Sequence, residues 1–243
     1  TFANSPFVEP RATGHEATEG DPRPVDAWTA RAFAPAGTSM LSTVGDLLRF
    51  AMWHLEEPSL STLREPQAEV AIHAWLDAWG LGWARFDWEG GSVWGWDGLI
   101  SGQRAILRLV PNRRGAVVLL TNGNTGRALY RALFPELMDQ CFGIRMPPLN
   151  LQPAAKTPGD LRRFAGIYAW PDRRWLVSAT ADRLLIEGSG RAMEAVPIDS
   201  RVFLIDPNDP DTPTITFGDF DVDGRPSVLY RMLWGYPRVD EST

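Results

Sequence analysis

The segment VWGWDGLISGQRAILRLVPNRRGAVVLLTN, residues 93–122, decides the fold of the first part of the chain. Its apolar residues alternate or run together in three stretches, which are separated by short breaks rich in glycine, asparagine and arginine. Such stretches predict β-strands joined by tight turns. The last stretch is apolar without interruption, which is typical of a strand covered on both faces. We therefore predict an antiparallel sheet with strands at residues 92–97, 103–110 and 115–121.

Helices are predicted on both sides of these strands. Ser42 and Thr43 precede an amphipathic segment that predicts a capped helix over residues 43–56. A second helix is predicted from Thr125 to Phe142, and its apolar stripe consists of residues at a spacing of four, Leu129, Leu133, Leu137 and Cys141. Cys141 is accordingly expected to be a buried, inert thiol. Between the first helix and the sheet we predict one or two short helices within residues 58–78 and a strand at residues 79–88.

The character of the sequence changes after residue 142. Residues 143–159 are rich in proline and predict a linker without a core of its own. Short strands separated by turn residues are predicted between residues 160 and 236, and their even spacing is typical of a small antiparallel barrel. The predicted fold class is α+β, with a first domain at residues 1–142, the linker at 143–159 and the barrel at 160–243.

Composition excludes several classes of function. The chain of 243 residues has a net charge of -6 and no basic stripe, so a nucleic-acid partner is not expected. No apolar run is long enough to predict a membrane span. The single cysteine and the three histidines lack the spacing of metal ligands, so neither a metal nor an organic cofactor is expected. Localisation stays open on these grounds.

Four segments, in their order and spacing, resemble serine hydrolases of the class C β-lactamase, esterase, D-aminopeptidase and penicillin-binding type. They are APAGTSMLSTVGDLLRF at residues 34–50, GLGW at 80–83, GWDGLISGQRAILRLVPN at 95–112 and GAVVLLTN at 115–122. The resemblance covers residues 1–145 and implies the C-terminal part of a β-lactamase-like (transpeptidase-like) domain. Residues 160–236 resemble the lipocalin-like barrel that some members of the family carry after the hydrolase domain.

The resemblance also implies where the chemistry takes place. In that family an activated serine attacks the acyl carbon, and two backbone N–H groups bind the developing oxyanion. One of these N–H groups is implied to belong to Leu99, which follows the glycine of the third motif. Gly98 is the other candidate catalytic position, because a glycine lets the substrate backbone lie close to the strand. Side chains expected to contact the substrate are those of Trp94, Trp96, Asp97 and Ser101, although Asp97 could instead end the strand.

The chain departs from the family pattern at two points. Trp96 stands where relatives have Lys or His, and an indole cannot supply a cation for a substrate carboxylate. This favours ester, amide or acyl-transfer chemistry on a substrate that lacks a carboxylate there; the alternative is that Trp96 packs beneath the cleft. The motifs Ser-x-x-Lys and Tyr-x-Asn/Ser are absent, since Lys156 is the only lysine and no tyrosine has Asn or Ser two residues later.

We therefore predict that the chain is part of a serine esterase, amidase or acyltransferase and does not perform the chemistry alone. A second polypeptide, the N-terminal half, would carry both missing motifs and form a heterodimer with this chain. It would come from cleavage of a precursor or from a separate gene, and the assembled enzyme would act on a small acyl substrate. The use of arginine over lysine suggests a GC-rich bacterial genome.

Two rival hypotheses belong to other classes. Thr1 could be the nucleophile of an N-terminal nucleophile hydrolase, with its own amine as the base. Alternatively, the barrel could bind a small apolar ligand in a non-catalytic or regulatory protein. Against the second rival, the sequence contains enough aromatic side chains to fill a small barrel: Phe164, Tyr168, Trp170, Trp175, Phe203, Phe217, Phe220 and Trp234.

Overall fold

The computed structural model describes residues 11–17, 21–25, 40–72, 76–100, 102–148, 152–157, 159–188, 190–206, 213–231 and 234–239. The chain forms two compact units. The first comprises residues 1–70 and 76–147, and the second comprises residues 71–75 and 148–243. No helix among the described residues is long and apolar enough to cross a membrane.

A six-stranded sheet is the framework of the first unit. Its strands lie side by side in chain order and are β3 (Pro66–Ile72), β4 (Leu76–Gly80), β5 (Ala84–Trp88), β6 (Gly91–Ile100), β7 (Gln103–Val110) and β8 (Gly115–Thr121). The pairs from β4 to β8 are antiparallel, as predicted. A separate two-stranded ribbon consists of β1 (Gly14–Glu16) and β2 (Arg23–Val25).

Two helices cover opposite faces of this sheet. Helix α1 (Val44–Glu56) is capped by Thr43, whose hydroxyl accepts a hydrogen bond from the Asp46 N–H, and it buries Ala51 against Leu107 and Leu109 of β7. Helix α2 (Gly126–Phe142) packs on the other face, because Tyr130 contacts Arg108, which lies between those two leucines in β7. Both helices lie close to their predicted positions.

The buried stripe of α2 differs from the predicted one. Leu129, Leu133 and Leu137 are exposed, and so is Cys141, which we had expected to be buried. The residues that α2 buries include a parallel series one position later, Tyr130, Phe134 and Met138. Because both series repeat every four residues, helical periodicity alone cannot choose between them.

Two predictions for the residues that precede β6 were wrong in part. Residues 58–64 form a short 3₁₀ helix, but the chain then enters β3 and β4 rather than a further helix. The single strand predicted at residues 79–88 is a hairpin, in which β4 ends at Gly80 and the Gly80 N–H donates to the Trp83 carbonyl. Gly80 is required at this bend, because a Cβ atom there would lie 2.7 Å from the Leu63 carbonyl oxygen.

The second unit contains a closed antiparallel barrel of eight strands. Its strands are β9 (Gly166–Trp170), β10 (Arg173–Ala179), β11 (Leu184–Gly188), β12 (Arg191–Pro197), β13 (Val202–Leu204), β14 (Thr214–Phe220), β15 (Pro226–Arg231) and β16 (Trp234–Val239). Each strand pairs with the next, and β16 closes the barrel on β9. The predicted α+β fold with a small barrel is thus confirmed. The predicted strands end at residue 236, whereas β16 continues to Val239, because Pro237 disfavours a strand in the sequence pattern.

The barrel is filled by its own side chains. Tyr168, Trp175, Phe203 and Phe217 are buried in its core, together with Phe164 from a 3₁₀ helix that precedes β9. The Phe164 ring lies 5.0 Å from that of Phe203 and 4.8 Å from that of Phe217, measured between centroids. The other three aromatic residues proposed to fill the barrel are exposed at its surface: Trp170, Phe220 and Trp234.

We predict that Phe164→Ala lowers the free energy of unfolding of the barrel by about 3–5 kcal/mol, because it leaves a cavity where the ring was fully buried. Urea denaturation followed by circular dichroism measures the change. Phe220→Ala is the matched control; its ring is 40% exposed, and we expect a loss of about 1 kcal/mol or less. Equal losses in the two variants would contradict the assignment of Phe164 to the core.

Candidate functional site

The end of β6 has a neighbouring strand on one side only. β5 pairs with β6 from Trp88 opposite Gly91 to Ala84 opposite Gly95, and no further. β7 follows β6 to its end, where Ile100 lies opposite Gln103. Among the described residues, positions 96–100 of β6 therefore have an open edge on the side away from β7.

Strand geometry determines which backbone groups face this open edge. Ile100 lies opposite Gln103 and only two residues separate them along the chain, so they form the closing pair of the hairpin and exchange both backbone hydrogen bonds. Alternation along an antiparallel strand then turns the N–H and C=O groups of Leu99 and Asp97 away from β7. The two-residue turn between Trp88 and Gly91 gives the same phase independently, since it directs Gly95 towards β5. Leu99 N–H is thus directed to the open side, as an oxyanion donor requires.

The two glycines of this strand meet different surroundings. A Cβ atom on Gly95 would lie 2.0 Å from the Leu107 carbonyl oxygen, so the packing of the sheet requires glycine there. A Cβ atom on Gly98 would lie 3.6 Å from the Ala105 Cβ, which is an ordinary contact. Gly98 is exposed, and the Leu99 beside it is 55% exposed. The fold of the described residues therefore tolerates a side chain at Gly98, and another constraint must account for a glycine there.

The tryptophans of β6 lie at different depths. Trp94 is only 8% exposed and packs with Ala51 and Leu109 beneath α1, so the structure places it in the core rather than on the substrate side. Trp96 is partly exposed, and its ring stands perpendicular to that of Trp79 with 4.5 Å between centroids. Trp96 also touches the same core, so it combines packing with an accessible apolar surface at the open edge. Ser101 lies outside the described residues, as does Thr1.

Asp97 points away from the face on which Trp96 lies. Its carboxylate is bound by two arginines, with 2.6 Å between Asp97 Oδ1 and Arg108 Nη1, and with Arg127 Nη1 on Oδ2. The side chains of Asp97, Arg108 and Arg127 are 8%, 1% and 4% exposed, respectively. Asp97 therefore neither ends β6, which continues to Ile100, nor offers its carboxylate to a substrate. Both alternatives considered for it from the sequence are replaced by a buried ion pair.

Within the ion-pair cluster formed by Asp97, Arg108 and Arg127, the Asp97 carboxyl is ionised at neutral pH. Burial acts to raise the pKa of Asp97, but the charges of Arg108 and Arg127 and their hydrogen bonds outweigh it and hold the pKa below its usual value. Burial likewise acts to lower the pKa of Arg108, and the opposing charge of Asp97 more than compensates, so the pKa is raised. The Asp97 carboxylate therefore carries a negative charge at neutral pH, and it lies beneath the open edge.

Sequence reasoning missed both arginines. Arg108 interrupts the apolar run ILRLV of β7, and a charge in the middle of a covered strand requires a buried partner of opposite sign. That rule would have pointed to a nearby carboxylate. Arg127 gave a weaker signal, because it stands at the exposed-looking start of a helix.

A third missed feature is the segment at residues 11–17, which borders the turn that follows the open edge. The His15 N–H lies 3.1 Å from the Gly102 carbonyl oxygen and 2.9 Å from that of Asn122. Gln103 Nε2 donates to the Ala12 carbonyl at 2.9 Å. Gly102 has φ +69°, and a Cβ atom there would lie 2.5 Å from the His15 nitrogen. This close approach explains the glycine in the turn.

The described residues hold no group of three or more His, Cys, Asp and Glu side chains that could bind a metal ion. The chemistry that the open edge can support is hydrogen bonding by the outward backbone groups of Asp97 and Leu99, beside the apolar surface of Trp96.

Comparisons with known proteins give the family and the fold of the chain. The beta-lactamase family model matches residues 1–140. Penicillin-binding protein 4 of Amycolatopsis lactamdurans is 33% identical over 169 residues, which are 64% of this chain and 44% of that protein. The crystal structure of SurE aligns with a TM-score of 0.73 at 22% identity, covering 94% of this chain and 56% of SurE. A crystal structure of SurE with D-Leu aligns with a TM-score of 0.66 at 23% identity, covering 90% and 57%.

The chain spans about half the length of these relatives. The likeness to SurE concerns the fold, which extends over nearly the whole chain and so includes the barrel.

We predict that Asp97→Asn lowers the free energy of unfolding of the first unit at pH 7 by about 3 kcal/mol, because two buried arginines lose their charged partner. The folded-state pKa of Asp97 lies below its unfolded value of about 4. Its contribution is therefore complete above that pH and is lost as the pH falls through the folded-state pKa. The difference between parent and variant should shrink in acid, as measured by urea denaturation with tryptophan fluorescence. Glu89→Gln, which breaks an exposed ion pair with Arg145, is the control and should change little at either pH.

Proposed function

Because the chain belongs to the beta-lactamase family, we propose that it supplies one wall of the acyl-transfer site of a serine hydrolase or acyltransferase of the penicillin-binding type. The observation that carries this proposal is the open edge at residues 96–100, with the backbone N–H of Leu99 turned outward. An acyl carbon under attack develops a negative charge on its oxygen, and a fixed N–H donor stabilises that charge. Leu99 is the donor that this chain contributes.

An extended substrate would lie along this edge as an added strand. The outward C=O and N–H groups of Asp97 and Leu99 are spaced as an antiparallel partner requires. A side chain at residue 98 would project from the face of the strand on which Trp96 lies and would narrow the space for a substrate group beside that ring. Glycine at this position is therefore explained by the substrate, although the packing of the described residues does not require it.

Trp96 restricts the class of substrate. An indole offers one donor and a broad apolar face, and it cannot pair with a substrate carboxylate. Trp79 extends this apolar surface, since the two rings meet at 4.5 Å. We infer that the acyl donor is an ester or an amide, as in esterases and peptidases, and that it carries an apolar group rather than a carboxylate beside Trp96.

We propose that the nucleophile comes from an N-terminal polypeptide that lies outside these 243 residues and carries Ser-x-x-Lys and Tyr-x-Asn/Ser. The absence of both motifs from the sequence supports this. A second support is that β8 is the outer strand of the described sheet and is only half-buried. An unpaired strand edge is a surface on which another chain can add a strand. The exposed leucines of α2 provide a neighbouring apolar stripe.

The test is to purify the tagged chain under native conditions and to identify every co-purifying polypeptide by intact mass and N-terminal sequencing. A fluorophosphonate probe, which labels activated serines, then locates the nucleophile. We expect the label on a serine that is followed three residues later by lysine, in a polypeptide outside the 243 residues. Labelling of Thr1, or a single species without label, would contradict the proposal.

We predict that Gly98→Ala lowers kcat/KM for p-nitrophenyl butyrate by about tenfold or more in the assembled enzyme, because the added methyl displaces the acyl group from Leu99 N–H. The melting temperature should stay close to that of the parent protein. Gly95→Ala is the matched contrast, since its Cβ atom would clash with the Leu107 carbonyl and lower the melting temperature. Unchanged kinetics in Gly98→Ala would remove residue 98 from the site.

A further inference from the structure

The ion-pair cluster lies directly behind the open edge. Asp97 occupies the position before Gly98, and its two partners come from different elements, Arg108 from β7 and Arg127 from the first turn of α2. One carboxylate thus joins β6 to a neighbouring strand and to a helix. Among the described residues, Gly98 and Leu99 themselves pair only with Ala105 and Arg104 of β7.

The cation of Arg108 is held on several sides. Its guanidinium carbon lies 4.3 Å from the centroid of the Phe86 ring and 5.1 Å from that of Tyr130. Arg108 Nη2 donates to the Tyr130 hydroxyl at 3.2 Å, and Nη1 donates to the Leu107 carbonyl at 3.0 Å. Arg127 also lies over the Tyr130 ring, with 5.1 Å to its centroid. These contacts leave Asp97 little freedom to move, because every displacement would separate buried charges.

The start of α2 is pressed against the sheet in a way that fixes Arg127. A Cβ atom on Gly126 would lie 2.3 Å from the Thr121 Oγ1 and 3.2 Å from the Arg104 Cβ. Only glycine permits this approach, so the first turn of α2 lies against β7 and β8 and brings Arg127 to Asp97.

Burying three charged groups is an expensive way to stabilise a sheet, since apolar residues of similar volume often serve as well. In some proteins such a cluster contributes conformational specificity, because alternative arrangements of the joined elements would leave buried charges unpaired. Here the cluster joins the end of β6, which has no neighbouring strand on its open side among the described residues. In the proposed function, this end of β6 presents the oxyanion donor.

We propose that Asp97, held between Arg108 and Arg127, is a positioning residue that fixes the Gly98–Leu99 edge for acyl transfer. This inference rests on the proposed function for its purpose, but the anchoring itself is a property of this chain. Asp97 acts by holding the backbone of β6 in place, and its side chain does not contact the substrate.

Amide exchange measured by NMR in Asp97→Asn tests the anchoring without any substrate. By strand alternation, the N–H groups of Trp94, Gly98 and Ile100 all donate to β7, and only the last two lie beyond the anchor. We expect exchange at Gly98 and Ile100 to accelerate about tenfold and to be nearly independent of low urea concentrations, which is the pattern of local opening, whereas exchange at the buried Trp94 should follow the loss of global stability and its dependence on urea. Unchanged exchange at Gly98 and Ile100, or acceleration there with the urea dependence seen at Trp94, would mean a merely structural role and would overturn the proposal.

Kinetics of the assembled enzyme test the purpose of the anchoring. With p-nitrophenyl butyrate and active sites counted by fluorophosphonate titration, we expect kcat per site to fall on the order of tenfold in Asp97→Asn while KM stays within about twofold. Unchanged kcat per site would overturn the catalytic part of the proposal. If the parent enzyme does not turn over the ester, the proposed function fails, and the exchange experiment still decides the anchoring.

Tyr130→Phe and Glu89→Gln are a milder variant of the cluster and a control outside it. Tyr130→Phe removes only the hydroxyl that accepts from Arg108 and keeps all three charges, so it should fold and shift the same two amides in the same direction by a smaller factor. It therefore decides the question even if Asp97→Asn does not fold, and unchanged amides in it would then count against the proposal. Glu89→Gln breaks an exposed ion pair and should leave exchange and kcat unchanged.

Discussion

The register between β6 and β7 is the constraint on which the rest of the first unit depends. With Ile100 opposite Gln103, alternation sends Trp94 and Trp96 to the face of α1 and Asp97 to the face of α2. A slip of one residue would exchange the two faces. Asp97 would then be buried among apolar residues, and Leu99 N–H would turn into the sheet. Fold and site thus share one requirement.

Two interactions hold this register, one from glycine packing and one from charge. Gly95 lies so close to the Leu107 carbonyl that no other residue fits at this position. Asp97 meets Arg108 across the same strand pair, and a displaced strand would leave both charges buried without each other. The glycine excludes alternatives by steric overlap, and the ion pair excludes them by the cost of desolvation.

The sequence predicted β6, β7, β8 and both helices, because the strands are short apolar stretches between turn signals and each helix has a helical period. It failed where two structures share one pattern. Residues 79–88 alternate well enough for one strand, yet the close approach of Gly80 to the Leu63 backbone bends them into a hairpin. On α2 the leucines and the buried aromatic residues repeat with the same period, so only tertiary packing distinguishes them.

The candidate site was also predictable only in part. The family resemblance pointed to Gly98 and Leu99, and the outward direction of the Leu99 N–H follows from strand alternation once the register with β7 is known. The partners of Asp97 did not follow, because Arg108 and Arg127 are 11 and 30 residues away along the chain. A charged residue in a buried strand indicates that a partner of opposite charge exists, but only the packed structure identifies that partner.

The distribution of charge around β6 bears on what the open edge can recognise. The charged side chain of β6 in this region, Asp97, lies behind the strand, where Arg108 and Arg127 bind its carboxylate. The residue that faces the open side at the first position of the motif is the uncharged Trp96, and it touches the equally uncharged Trp79. A substrate at this edge would therefore meet backbone hydrogen bonds and apolar surface, without a fixed cation from β6. Under the proposed function, such an edge would recognise a substrate by its shape and the direction of its backbone, and specificity among acyl donors would depend on how well an apolar group fits beside Trp96.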